Sequence, residues 1–118
     1  MSLNAWVEKI ERLINVLYNK TANHSVQWAV TSEEDAFRLP SDAANVRIER
    51  KEIFNQDHGE MYTKRVLEIF NKQGRLVDDY SPQSALEEKY FDDLFSLARR
   101  SAHNTDDLLD QLLDEIQR

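Results

Sequence analysis

Cysteine is absent from the 118 residues, and glycine and proline occur only twice each. Without cysteine there is no disulfide, thiolate nucleophile, cysteine-based zinc site or iron–sulfur cluster. The two glycines, Gly59 and Gly74, are too far apart for a Walker A loop or a dinucleotide fingerprint. They cannot build a Gly-x-Ser-x-Gly nucleophile elbow either. Long apolar runs are lacking: none approaches the roughly 18 residues of a membrane span. The first residues also lack the basic-then-apolar order of a secretory signal, so a cytoplasmic location is expected. Positive charge is in deficit, with 15 Lys+Arg against 22 Asp+Glu and a formal net charge of −7.

The remaining composition, 41% hydrophobic and 31% charged, has enough apolar side chains for a packed core and too many for a disordered chain. The length fits one domain over residues 1–118. Charge is unevenly spread. Residues 1–20 hold three basic and two acidic residues, 21–80 eight and eleven, and 81–118 four and nine. An acidic surface is repelled by phosphate, so nucleic acid is not an expected partner, and without an apolar span no membrane is expected either. The local basic groups Arg47, Arg50, Lys51 and Lys64, Arg65 are assigned to solvated outer-face positions of strands.

Hydrophobic periodicity divides the chain into three parts. Leu3, Trp6, Val7, Ile10, Leu13, Ile14, Leu17 and Tyr18 form one stripe of a 3.6-residue helix over 3–18, which Ser2 or Asn4 could cap and Asn19–Asn23 ends. From residue 24 the period falls to two. Val26, Trp28 and Val30 predict a first strand, Ala36–Leu39 a second, Val46 to Ile53 a third, Met61–Phe70 a fourth and Arg75–Tyr80 a fifth. Turns are expected at 55–59 and at Asn71-Lys72-Gln73-Gly74, where glycine supplies the positive φ. Short links between consecutive strands predict an antiparallel meander of four to five strands. Helix returns from Ser81, with Pro82 in the first turn and a capping box at Ser84-Ala85-Leu86-Glu87. After an interruption at 101–105, Asn104 or Thr105 is expected to cap a final helix with Asp106 and Asp107 in its first turn. The fold class is therefore α+β, with an N-terminal helix, a meander sheet and two C-terminal helices packed on one face.

Candidate chemistry is thin. His24, His58 and His103 are scattered, and Asp57-His58-Gly59-Glu60 reads as an exposed turn rather than a metal site. Carboxylate doublets recur at Glu33-Glu34, Asp78-Asp79, Glu87-Glu88, Asp92-Asp93 and Asp106-Asp107. Adjacent helical residues point in different directions, so these doublets read as solvated faces and helix starts rather than catalytic dyads. No catalytic, metal-binding or cofactor-binding residue is assigned and no cofactor is expected. Trp6 and Trp28 read as core, and Arg99-Arg100 as cations at a helix carboxyl end. The last helix carries Leu108, Leu109, Leu112, Leu113 and Ile116 on one side among five acidic residues. Burial against the domain's own core is the first expectation for this stripe, and dimerisation or docking on a partner the second.

The stretches Trp6…Leu13-Ile14…Thr21…Val26-Gln27-Trp28 and Leu94-Phe95-Ser96-Leu97-Ala98-Arg99-Arg100-Ser101-Ala102…Asp107-Leu108-Leu109-Asp110 resemble small, uncharacterised bacterial domains of helix–sheet–helix layout. The resemblance spans most of the chain and implies an adaptor-like role without a transferable activity. The expected function is thus a non-enzymatic interaction or regulatory module, with a protein partner or a second copy held by Leu108, Leu109, Leu112, Leu113 and Ile116. Two alternatives stand beside it: a ligand-binding or catalytic pocket between helix and sheet near Trp28, Tyr62 and the histidines, and an acidic immunity-type inhibitor of a basic toxin.

Overall fold

The computed structural model describes residues 3–118. Helix α1 (Leu3–Ala22) is followed by strands β1 (Ala29–Val30), β2 (Ala36–Pro40), β3 (Asn45–Asn55), β4 (Glu60–Phe70) and β5 (Leu76–Tyr80), then by helices α2 (Ala85–Ala102) and α3 (Thr105–Gln117). The five strands form one antiparallel sheet in sequential order, the expected meander. Its first strand is only two residues long, because Trp28 leaves the ladder to donate its backbone N–H to Ser101 Oγ at 2.9 Å.

Both predicted tight turns carry their glycine in the left-handed region. Gly59 has φ +65° and donates to the Asn55 carbonyl at 2.8 Å; Gly74 has φ +80° and donates to the Asn71 carbonyl at 3.0 Å. Asn71 fixes the second turn further by accepting from Gln73 and Arg75 N–H through its side chain. A bulge follows where Phe70 pairs with Leu76 and Ile69 with Asp78, so that β5 carries one extra residue at the sheet edge.

Strand alternation sorts the sheet into two faces. The register aligns Phe37, Ile48, Leu67 and Tyr80 in one row toward the helices. Phe91, Leu94, Phe95 and Ala98 of α2 pack on this row, together with Leu17 of α1 and Trp28. The Phe37 and Phe95 rings lie 5.4 Å apart at 50°, a tilted geometry suited to their quadrupoles. Trp28 joins three elements. It is 1% exposed, and its indole N–H donates to Thr21 Oγ1 at 2.9 Å while that hydroxyl donates to the Leu17 carbonyl at 2.7 Å. Trp6 is only half-buried and ties α1 to β5, its indole N–H donating to Asp78 Oδ2 at 2.6 Å. The other oxygen of Asp78 accepts from the Asp79 N–H at 2.9 Å.

The helix ends differ from expectation in three places. The predicted cap at Ser2 lies outside the described residues, and Asn4 already belongs to α1. Helix α2 begins at Ala85 rather than Ser81: Ser84 is the N-cap and accepts from Glu87 N–H at 3.2 Å, while Pro82 precedes it outside the helix. The Glu87 carboxylate reaches past the cap to the Gln83 N–H at 2.6 Å, a variant of the expected box. Asn104 occupies the cap position of α3 in the left-handed region, φ 52°, and makes no side-chain cap bond; that conformation turns the chain out of α2 instead of starting α3 with a side-chain acceptor.

Candidate docking surface

Of the five basic strand residues predicted to be solvated, Lys51 is exposed as expected, and Arg47, Arg50, Lys64 and Arg65 are instead organised into two clusters. On the helix side of the sheet, Arg50 and Arg65 are cross-strand partners, which alone would be repulsive. Asp92 of α2 resolves this. Its Oδ1 accepts from Arg65 Nε at 2.7 Å and Arg50 Nε at 3.1 Å, and its Oδ2 accepts from Arg65 Nη2 at 3.1 Å. Burial pushes the Asp92 carboxyl up, but the Arg65 hydrogen bonds and the charges of Arg65 and Arg50 outweigh it and hold the group below the usual carboxylate range. Arg50 and Arg65 are therefore bound to α2, and Asp92 is a clamp rather than a solvated doublet member.

On the opposite face, Glu49 is 4% exposed. Its Oε2 accepts from Arg47 at 3.1 Å and its Oε1 lies 2.9 Å from the Lys64 ammonium. Arg47 reaches Glu68 at 2.6 Å and Glu33 at 2.9 Å as well. Desolvation raises the Glu49 carboxyl, and the bonds and charges of Lys64 and Arg47 more than offset it, leaving its pKa lowered. Arg47 and Lys64 have raised pKa values: for Arg47 the bonds to Glu68 and Glu49 overcome burial, and for Lys64 the bond to Glu49 dominates. Glu49 is thus matched to two cations and held ionised, an arrangement that orders strands rather than poising this carboxyl for proton transfer. No group of three or more potential His or carboxylate metal ligands exists among the described residues.

The two pocket candidates are not brought together. Trp28 is sealed in the core beside Thr21. Tyr62 is half-exposed near the end of the β3–β4 hairpin, on the sheet face away from the helices. The histidines are separated too: His24 follows α1 and approaches Asp106 at 3.5 Å, His58 lies in the exposed hairpin turn, and His103 stacks edge-on against Phe37 at 5.6 Å.

The interaction candidates have a different fate. Leu108, Leu109, Leu112, Leu113 and Ile116 are 50–71% exposed, and α3 buries none of its residues. The first expectation, burial in the domain's own core, is not met. The helices that cover the sheet are α1 and α2, and α3 leaves the end of α2 and projects. At 100° per residue the five aliphatic positions span about 140° of the α3 circumference. Asp106 and Asp110 border that arc on one side and Glu115 on the other. A second concave surface lies between α1 and the first turns of α2 and encloses about 520 Å3, with Tyr18, Tyr80 and Tyr90 in its walls. No helix among the described residues is long and apolar enough to cross a membrane.

Comparison with known proteins gives no match: no family model, curated protein or solved structure is similar to this chain.

Proposed function

We propose that this protein is a non-enzymatic, adaptor-like interaction module whose α3 helix docks on another protein. One observation carries the reading: five aliphatic side chains at helical spacing stand at least half-exposed on an element with no core of its own. A 13-residue helix is marginal in water without tertiary support. Covering the stripe would add roughly 1 kcal/mol for each half-exposed side chain, and such a face fits the helix-in-groove mode of recognition. The acidic borders define the complementary surface as an apolar centre rimmed by lysine or arginine. Two α3 helices laid face to face would bring Asp106, Asp110 and Glu115 of both copies together, so a distinct partner is favoured over a homodimer.

The test is affinity capture with the intact chain and with the double variant Leu109→Asp/Leu112→Asp, followed by titration of the captured partner. The expected result is a partner retained by the wild type, lost by the variant, and bound more weakly as salt rises. Both proteins should melt at the same temperature, since neither leucine is in the core. Equal capture by wild type and variant, or a wild type that is monomeric in light scattering and retains nothing, overturns the reading.

A further inference from the structure

The groove between α1 and α2 is independent of the α3 stripe. Its volume of about 520 Å3 lies in the range of small-ligand sites. Phe91 and Ile14 give it apolar walls, and three tyrosine rings, Tyr18, Tyr80 and Tyr90, stand around it. Its charged groups are Glu11 of α1 and Glu87 of α2; neither lysine nor arginine lines it.

The two carboxylates are not equivalent. Glu87 is fixed, its Oε1 accepting from the Tyr80 hydroxyl at 2.5 Å and its Oε2 from the Gln83 N–H at 2.6 Å. Part of its charge is offset by the positive end of α2. Glu11 has no such compensation from a helix terminus, since it lies mid-way along α1. Both act on one place: burial, then the Glu87 bond, then the negative charges of Glu87 and Glu11 push the Tyr80 phenol up to about 12. The groove thus combines three tyrosine rings with two carboxylates among apolar walls. An anion is repelled there. A hard metal ion needs converging oxygens, and those of Glu87 already accept bonds from Tyr80 and Gln83. A neutral apolar molecule gains only from area. A cation with an alkyl body uses every component, through attraction to the ring faces and to the carboxylates and through burial of its methyl groups.

We infer that the α1–α2 groove is a binding site for a small organic cation carrying an alkylated ammonium head.

The probe is choline, compared with its uncharged isostere 3,3-dimethylbutan-1-ol, by calorimetric titration and two-dimensional NMR of the full-length chain. Choline should give saturable shifts confined to residues 11–19, 80 and 86–91, and the isostere should bind about fivefold or more weakly. Tyr90 is 55% exposed, so its variants should fold. Tyr90→Leu is expected to weaken choline about threefold to fivefold, Tyr90→Phe to leave it nearly unchanged, and Glu11→Gln to weaken it to a similar degree as Tyr90→Leu. Equal binding of the isostere, shifts outside the groove, or no saturation by choline in the folded wild type overturns the assignment. So does tighter binding of an N-acetyl-lysine amide than of choline, which would make the occupant a protein side chain. None of these outcomes depends on α3, whose stripe is read by a different variant.

Discussion

Asp92 shows how much a single side chain can decide. Two arginines face each other across β3 and β4, and one carboxylate on α2 makes that pairing tenable by accepting from both. The interaction is charge-assisted and partly shielded, with Arg65 17% and Asp92 33% exposed. Asp92→Asn is expected to lower stability by about 1–2 kcal/mol at neutral pH, read by chemical denaturation. The pH dependence has a definite sign. The folded pKa of Asp92 lies below its unfolded value, so its contribution is complete above about pH 5 and is lost as pH falls through about 4 and below. The wild type should therefore lose more stability on acidification than the variant; parallel curves would disprove the clamp. None of this was legible in the sequence. Arg50 and Arg65 have the alternation of solvated strand residues, and only the strand register and the line of α2 across the sheet show that they share a partner. The same holds for Glu49, which sits in a charged run and is nonetheless buried by Arg47 and Lys64.

The elements themselves follow the local chemistry closely. A period of 3.6 before residue 22, a period of two through residue 80, and glycines at the two hairpin turns predict the helix, the meander and the return to helix. The element ends were harder to read, because several residues compete for each cap. Ser84 wins for α2 through its bond to Glu87 N–H, and Ser84→Ala should cost about 1 kcal/mol, measured as a fall in melting temperature of roughly 3–5 °C. Asn104 does not cap α3 with its side chain, so Asn104→Gly is expected to be tolerated or mildly stabilising, because glycine adopts positive φ without strain. A clear loss of stability in that variant would show that the asparagine side chain has a role its hydrogen bonds do not disclose. Trp28 and Tyr62 illustrate the limit of reading pockets from aromatics: both suit a strand, and only the fold shows that one is sealed beside Thr21 and the other stands on the far face of a hairpin.

At the scale of the molecule, the chain is more extended than its length requires. Its radius of gyration is 16.3 Å, with extents of 58 × 42 × 29 Å, against about 13–14 Å for a compact domain of this size. The projecting α3 and the long β3–β4 hairpin account for the difference. Small-angle scattering of the full chain should report this elongation. Removing residues 105–118 should shrink the particle while leaving the melting temperature almost unchanged, because α3 buries none of its residues. A large drop in stability on removal would mean that α3 closes onto the domain in solution. The sequence could not separate these cases: a leucine stripe with acidic borders looks the same whether it meets its own domain or another protein.

The β5 border of the sheet has a consequence for behaviour at high concentration. An open strand invites neighbouring molecules to add on, lengthening the ladder from chain to chain. Here that invitation is withdrawn by an inserted residue that bends the strand and by Asp78, which ties up the Asp79 amide with one oxygen and the Trp6 indole with the other. The opposite border ends in a two-residue stub. These two short margins are thus poor templates for fibrous stacking, whereas residues 51–55 of β3 and 60–66 of β4 have no further strand beside them and leave the distal hairpin as the open edge.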